Sequence, residues 1–158
     1  MNRKSWIAIL VFVAVSQAAG IAGSFVTVAA IPTWYAGLVK SHWNPPAWVF
    51  GPAWLVLYTM MGAAAGLVWE RGFSNREVRN AILLFMTQLV LNTFWSVIFF
   101  GFRSPGLALA EIVVLWATLT VTMAAFFRVR RLAGLLWVPY WAWCSFAVYL
   151  NYAIVRLN

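Results

Sequence analysis

Three polar side chains, Gln88, Asn92 and Ser96, recur every four residues within an otherwise apolar stretch and could bind a ligand. This spacing places them on one face of an α-helix, with Trp95 and Phe99 beside them. One interpretation is hydrogen bonding between neighbouring helices, which would hold a bundle together. The other is a polar stripe that lines a ligand cavity, with the aromatic rings as its walls. The spacing alone gives the two interpretations equal weight.

A second candidate surface lies near the C-terminus. Its members also share one helical face, and they are Tyr140, Trp143, Ala147 and Asn151. Such a surface suits a flat hydrophobic ligand, because the rings can stack, Ala147 leaves room and Asn151 can orient a polar edge. Aromatic packing in a protein core would produce the same spacing.

Glu111 is the one acidic residue deep within an apolar stretch. A charge there is costly, so we expect Glu111 to be neutral or paired with Arg103, whose long side chain can reach along the helix. A role in proton movement or substrate contact is the alternative. With one histidine, His42, and one cysteine, Cys144, neither a metal site nor an internal disulfide is expected. Conventional acid–base catalysis is not predicted either.

The elements that position these residues are predicted to be membrane-spanning helices. Of the 158 residues, 65% are hydrophobic and 9% are charged, whereas a soluble domain is about 45–50% apolar. The charges divide the chain into five apolar stretches, each close to the roughly 20 residues that cross a bilayer. We therefore predict an all-α protein with a single domain over residues 1–158. Its five spans are residues 6–28, 47–69, 81–102, 107–127 and 132–155.

The basic residues predict how these helices are oriented. With the N-terminus inside, three of the 11 lysines and arginines lie outside, namely Lys40, Arg103 and Arg156. This bias predicts an N-terminus inside and a C-terminus outside. The net charge of +8 then reflects topology, so we expect anionic membrane lipid as a partner and no nucleic acid. The N-terminus imitates a signal peptide, but the apolar run continues to Val28, which predicts a retained helix.

Two features of the connections and helix surfaces add to this picture. The connection over residues 29–46 is long and rich in proline and large aromatic residues, which predicts an ordered lid. The Gly62–Gly66 pair forms a GxxxG motif, and the Ala19–Gly23 pair has the same spacing of small residues. Both permit close helix contact, either within the bundle or in a dimer. We predict that at least one of them packs within the bundle.

Four motifs in the same order cover essentially the whole chain. They are Trp34-Tyr35-x-x-Leu38-x-Lys40, then Trp43-Asn44-Pro45-Pro46-x-Trp48-Val49-Phe50-Gly51-Pro52-x-Trp54, then Gln88-x-x-x-Asn92-x-x-Trp95-Ser96-x-x-Phe99-Phe100, and finally Pro139-Tyr140-x-x-Trp143-x-x-Phe146-Ala147-x-x-Leu150-Asn151. The chain thereby resembles the TspO family of tryptophan-rich sensory proteins, to which the mitochondrial translocator protein is related. It departs from the family at Ser41, often a proline, which predicts a looser loop. It also departs at His42, commonly an aromatic residue, where a simple loop role is favoured over contact of the ring nitrogen with a porphyrin carboxylate or axial metal.

The resemblance implies a five-helix bundle, a homodimer, and a pocket beneath the first loop. It implies a membrane receptor or carrier for tetrapyrroles such as protoporphyrin IX or haem, with no other cofactor required. Sterols and benzodiazepine-site compounds are further ligands of the family. The implied pocket residues are Trp34, Tyr35, Trp54, Asn92, Trp95, Glu111, Trp143 and Ala147. We expect Asn92, Lys40 or His42 to orient the polar edges of the ligand.

Three further expectations follow from the resemblance. Trp54 and Trp143 match two tryptophans that are linked, in bacterial members, to light-dependent porphyrin degradation, which is the alternative function. The family's cholesterol-recognition pattern falls on Leu150, Tyr152 and Arg156, although such patterns are short and common. The membrane is predicted to be that of a bacterial cell.

Overall fold

The computed structural model describes residues 3–158, which form five long helices joined by short connections. The helices are α1 (Arg3–Ala30), α2 (Ala47–Trp69), α3 (Arg76–Ser96), α4 (Pro105–Val129) and α5 (Arg131–Leu157). A short 3-10 turn, Tyr35–Gly37, lies in the first loop, and a π-helical segment, Val97–Gly101, continues α3. The five helices are long and apolar enough to cross a membrane. The predicted all-α architecture of five spans is thereby confirmed.

Most of the helices extend beyond the apolar stretches because polar residues form their ends. Helix α3 begins at Arg76 rather than at residue 81, since the Asn75 side chain caps it by accepting a hydrogen bond from the Glu77 backbone N–H at 2.8 Å. Helix α4 begins with Pro105, whose missing N–H is not needed in the first turn. The apolar stretch marks the membrane crossing, whereas the helix itself continues past it.

The helices form a ring in the order α1, α2, α5, α4, α3. The short turn between α3 and α4 makes these two helices antiparallel neighbours, as the sequence predicted. The start of α1 and the α2–α3 and α4–α5 connections lie at one end, here called the basic end. It carries eight of the 11 lysines and arginines, which are Arg3, Lys4, Arg71, Arg76, Arg79, Arg128, Arg130 and Arg131. The first loop and the C-terminus lie at the opposite end, here called the loop end.

Helices α1 and α2 touch closely at the Gly62–Gly66 pair. A Cβ atom added at Gly62 would lie 2.4 Å from Cα of Val13, and one added at Gly66 would lie 2.5 Å from Cα of Ile9. Only glycine permits this approach of the two backbones. The motif therefore packs within the bundle, as predicted, and it is not free to form a dimer contact.

A packed aromatic core fills the half of the bundle nearest the basic end. Phe85, Phe126 and Trp137 are fully buried there. The Trp137 ring meets Phe126 at 5.0 Å and 69° and meets Phe85 at 6.3 Å and 85°, the edge-to-face arrangement that aromatic pairs prefer. This core fixes the relative positions of α3, α4 and α5.

One ion pair connects three elements at the basic end. The Arg130 guanidinium donates a hydrogen bond to the Glu70 carboxylate at 2.7 Å, and the Ser5 hydroxyl donates to the other carboxylate oxygen. The hydrogen bonds from Ser5 and then Arg130 hold the pKa of Glu70 below its usual range. The charged form of Glu70 therefore joins the start of α1 to the end of α2 and the α4–α5 connection.

Glu70→Gln is expected to lower the thermal unfolding midpoint in detergent at pH 7. A carboxyl with a lowered pKa stabilises the folded state above its unfolded pKa, about 4.3, and this contribution is lost as pH falls through the folded pKa. The difference between variant and wild type should therefore shrink when unfolding is followed at successively lower pH. Glu77→Gln removes the same charge from an exposed residue of the α3 first turn and should show a smaller difference. A Glu70→Gln deficit that is equal at pH 7 and pH 3 would contradict this assignment.

Candidate functional site

A cavity of about 490 Å³ lies in the half of the bundle nearest the loop end. Its volume falls within the range of about 300–1,000 Å³ that is typical of small-molecule sites. Residues from α1, α2, α3, the π-helical segment and α5 line it, together with Ile31 and Tyr35 of the first loop. Among the described residues, none from α4 contributes to the lining. The cavity is therefore lined by four helices and two residues of the first loop.

Tryptophans of α2 and α5 form one part of the cavity wall. Trp54 lies 5.4 Å from Tyr58 at an interplanar angle of 31°. Trp143 meets Phe50 edge-on at 6.0 Å and 73°. Both tryptophans are partly exposed to the cavity and not sealed in the core. Their faces can therefore contact a flat apolar molecule.

The π-helical segment forms another part of the wall. Phe99 stacks on Trp95 at 5.2 Å and 28°, and Phe100 meets Trp95 edge-on at 5.9 Å and 87°. The wider π-helical turn, which is rare and often found at functional sites, brings both phenylalanines to the same tryptophan. All three rings line the cavity.

A buried chain of hydrogen bonds ends at the cavity wall. The Tyr58 hydroxyl donates to Asn92 Oδ1, Asn92 Nδ2 donates to the Tyr140 hydroxyl at 2.8 Å, and Tyr140 donates to Gln88 Oε1 at 3.1 Å. Gln88 Nε2 lies 3.8 Å from the Met61 sulfur. Gln88 and Asn92 thus bind helix to helix, the first of the two interpretations of the polar stripe. Asn92 also lines the cavity.

Asn151 binds three helices together at the edge of the cavity. Its Oδ1 accepts a hydrogen bond from Trp95 Nε1 at 3.1 Å, and its Nδ2 donates to the Pro105 carbonyl at 2.8 Å. The candidate face of α5 is therefore divided in its roles. Trp143 and Ala147 face the cavity, whereas the polar groups of Tyr140 and Asn151 are engaged in bonds between helices.

The first loop packs over the loop end through Tyr35. Its hydroxyl donates to Asn44 Oδ1 at 2.9 Å, and burial raises its pKa, partly offset by that hydrogen bond. The Lys40 ammonium lies 4.8 Å from the centre of the Tyr35 ring and donates to the Leu38 carbonyl at 2.8 Å. Lys40 therefore folds back on its own loop. His42 is exposed and packs beside Trp43.

Two contacts fasten this loop to α5. The Asn158 side chain accepts from the Val39 N–H and donates to the Val39 carbonyl, both at 3.0 Å. The Ser41 hydroxyl lies 2.9 Å from the Tyr149 hydroxyl. The presence of Ser41 in place of a proline predicted a looser loop. Its hydroxyl instead anchors the loop, and a proline has no hydroxyl that could do so.

The structure brings six of the eight predicted pocket residues to one cavity. They are Tyr35, Trp54, Asn92, Trp95, Trp143 and Ala147. Trp34 packs instead against Phe99 at 5.6 Å, behind the wall. Of the sterol pattern, Leu150 lines the cavity, while Tyr152 and Arg156 are exposed. Residues 150 and 152 point in different directions because consecutive helical side chains turn by about 100°.

Glu111 lies on α4, away from the cavity lining. Both of its carboxylate oxygens are buried and have no hydrogen-bond partner among residues 3–158. The alternative in which Glu111 pairs with Arg103 is therefore wrong within this part of the chain, where Glu70 and Arg130 form the ion pair. The other alternative, a neutral Glu111, stays a prediction. Arg103 has a positive φ of 52° in the α3–α4 turn and is exposed.

Sequence reasoning missed the α1 wall of the cavity. Its small or polar members recur every three or four residues on one helical face, and they are Gln17, Gly20, Ser24 and Thr27. The larger Ile21 and Val28 of the same helix also line the cavity. The spacing of three and four residues between the small or polar members could have revealed this face. Part of the same stretch, however, resembles the cleavage site of a signal peptide, and that resemblance drew the interpretation instead. Tyr58 follows Trp54 by four residues and therefore lies on the same face of α2. This spacing could have identified Tyr58 as a further residue of the cavity wall.

The fold and site together define a multi-pass helical membrane protein with an aromatic cavity between its helices. Comparison with known proteins supports this class. A model of the TspO/MBR family matches residues 12–157. The chain is 44% identical over 156 residues to the tryptophan-rich protein TspO of Chlorobaculum tepidum, with 99% of each chain covered. It therefore belongs to the TspO/MBR family, whose names indicate a membrane receptor or sensor role.

Two further relatives extend the comparison across kingdoms. The human translocator protein is 42% identical over 127 residues, which cover 79% of this chain and 75% of the relative. The tryptophan-rich sensory protein of Cereibacter sphaeroides is 38% identical over 156 residues, covering 99% of this chain and 94% of the relative.

Proposed function

We propose that this protein is a membrane receptor or carrier that binds tetrapyrroles such as protoporphyrin IX or haem in the cavity. The observation that carries the proposal is the convergence of Trp54, Trp95 and Trp143 on a single apolar cavity of about 490 Å³. A porphyrin is flat, aromatic and largely apolar, so three tryptophans from three helices are well suited to hold it. Sterols and benzodiazepine-site compounds share the apolar character and are further candidate ligands.

The surroundings of the cavity support the same assignment. Ala147 leaves space beside Trp143 where a larger residue would occupy it. The first loop, anchored through Asn158 and Ser41, acts as a lid over the loop end. Asn92 retains capacity for a polar contact, since a side-chain amide has two N–H groups and two acceptor lone pairs.

A titration of the purified protein with protoporphyrin IX in the dark tests this proposal. Tryptophan fluorescence should fall to a plateau at micromolar porphyrin, because several tryptophans of the cavity would lie against the ligand. A linear decrease without saturation would contradict binding in the cavity. Absorbance is recorded in the same samples under light, which separates binding from degradation.

A second candidate function is light-dependent degradation of the porphyrin. The observation that favours it is that Trp54 and Trp143 line the same cavity. In this reaction dioxygen is the oxidant and the excited porphyrin is oxidised, with the tryptophans as radical partners. Illumination should produce a new absorption band that is lost in Trp54→Phe and Trp143→Phe. Trp6→Phe, which changes an exposed tryptophan of α1, is the control. Equal rates of porphyrin loss in all variants would exclude this role for the two tryptophans.

We infer that the protein resides in a bacterial cell membrane with its basic end on the cytoplasmic side. The eight basic residues at that end support this orientation through the positive-inside rule. Anionic lipid headgroups are the partners that such a surface attracts. We further propose a homodimer, which must use a surface other than the Gly62–Gly66 pair, since α1 covers that pair.

A further inference from the structure

Helices α1 and α2 are in tight contact toward the basic end and separate toward the loop end. At Gly62 an added Cβ would lie 2.4 Å from the α1 backbone, whereas at Gly51, three turns nearer the loop end, it would meet nothing within 4 Å. Between these positions, Gln17 of α1 donates hydrogen bonds to the Leu55 carbonyl at 3.0 Å and to the Thr59 hydroxyl at 2.9 Å. One turn further, a Cβ added at Gly20 of α1 would lie 2.5 Å from the Tyr58 ring of α2. The gap therefore begins beyond Gly20, toward the first loop.

This gap leads into the cavity. The exposed residues of the cavity lining all belong to α1 or α2, and they include Ile21, which is 58% exposed, and Leu55, which is 60% exposed. On the opposite side, Asn92 and Asn151 are only 3% and 2% exposed. The cavity is thus closed by α3 and α5 and open on the side of α1 and α2.

The opening lies at the depth of the hydrocarbon. Ile21 is nine residues from the end of α1, and Leu55 is eight residues from the start of α2. At 1.5 Å per residue these positions lie about 12–14 Å from the helix ends, while half the hydrocarbon thickness is about 15 Å. The exposed side chains along the gap therefore face acyl chains rather than water.

We propose that the gap between α1 and α2 is a lateral portal through which an apolar ligand dissolved in the bilayer enters the cavity. This inference rests on the proposed function and specifies its substrate class as molecules delivered from the membrane. Entry from the aqueous side is opposed by the first loop, which Asn158 and Ser41 fasten to α5. Desolvation of an apolar ligand would then occur in the lipid, before it reaches the protein.

Narrowing the portal tests this inference. Gly51→Leu places a side chain in the open space of the gap, and leucine is a better helix former than glycine. Gly106→Leu is the matched control, because Gly106 is also helical, also has open space around it, and does not line the cavity. Asn158→Ala loosens the first loop and tests the competing aqueous route. Each protein is placed in lipid nanodiscs, and tryptophan quenching by protoporphyrin IX is followed by stopped flow in the dark.

Gly51→Leu should slow both association and dissociation at least fivefold, with the two rate constants reduced more than the affinity is. Gly106→Leu and Asn158→Ala should stay within twofold of the wild type. Saturable binding in Gly51→Leu at the wild-type rate would overturn the portal, and so would faster association in Asn158→Ala. These failures are distinct from that of the proposed function, in which the wild type itself shows no saturable quenching.

Discussion

Ala147→Phe is expected to weaken binding of protoporphyrin IX by about 10- to 100-fold. Ala147 lines the cavity on α5, one helical turn from Trp143. A phenyl ring there would occupy the space that the ligand needs, and overpacking of a filled site costs about 1–3 kcal/mol. The dissociation constant is measured by tryptophan quenching in the dark. The thermal unfolding midpoint should change little, since the added ring enters a cavity that already exists.

Ala142→Phe provides the matched control for this experiment. Ala142 lies on the same helix but is exposed on the outside of the bundle, so the same increase in size should leave the affinity unchanged. If Ala147→Phe binds protoporphyrin IX as tightly as Ala142→Phe, the porphyrin does not occupy this cavity. The proposed site would then be wrong even if the protein binds porphyrin elsewhere.

The five-helix fold could be predicted because it depends on quantities that the sequence displays directly. A membrane span requires about 20 apolar residues, and the few charged residues lie between such stretches. The interior face of α5 could also be predicted, since Trp143 and Ala147 share it through simple helical spacing. Whether each polar residue of the stripe would bind ligand or another helix could not be predicted. That choice depends on the partners Tyr58 and Tyr140, which come from two other helices.

Other parts of the site depend on features that a linear pattern does not contain. The π-helical turn that brings Phe99 and Phe100 to Trp95 differs from an α-helix by one residue in its hydrogen bonding. The anchor between Val39 and Asn158 joins residues 119 positions apart. Glu111 was placed in the pocket by resemblance, but its helix does not contribute to the cavity wall. Predicting any of these features would have required knowledge of how the whole bundle packs.

The bundle has a packed half and a hollow half, and this division has a physical origin. Toward the basic end, Gly62 and Gly66 bring α1 against α2, and large rings such as Phe85 and Trp137 fill the interior. Toward the loop end, α1 presents the small residues Gly20, Gly23 and Thr27 to the cavity, so the space is not filled. The packed half supplies stability, which allows the hollow half to remain open.

Gly62→Leu is therefore expected to prevent formation of the folded bundle. The nearest atoms to an added Cβ are Cα and N of Val13, at 2.4 Å and 2.6 Å, and a backbone inside a helix cannot rotate away as a side chain can. The whole of α1 would have to move outward, which would also break the Gln17 hydrogen bonds to α2. We expect aggregated protein on size-exclusion chromatography in detergent. The milder Gly62→Ala should fold with stability lowered by about 1–3 kcal/mol.

Gly106→Leu and Gly106→Ala are the controls, since the same additions at Gly106 meet nothing within 4 Å. Both should elute as the wild type does, with unchanged or raised unfolding midpoints, because glycine is the poorer helix former. A monodisperse Gly62→Leu protein with the wild-type midpoint would show that α1 is not held against α2 at this point. The packed half would then not supply the stability assigned to it. The proposed portal would also lose support, because it is defined by the separation of α1 and α2 beyond this contact.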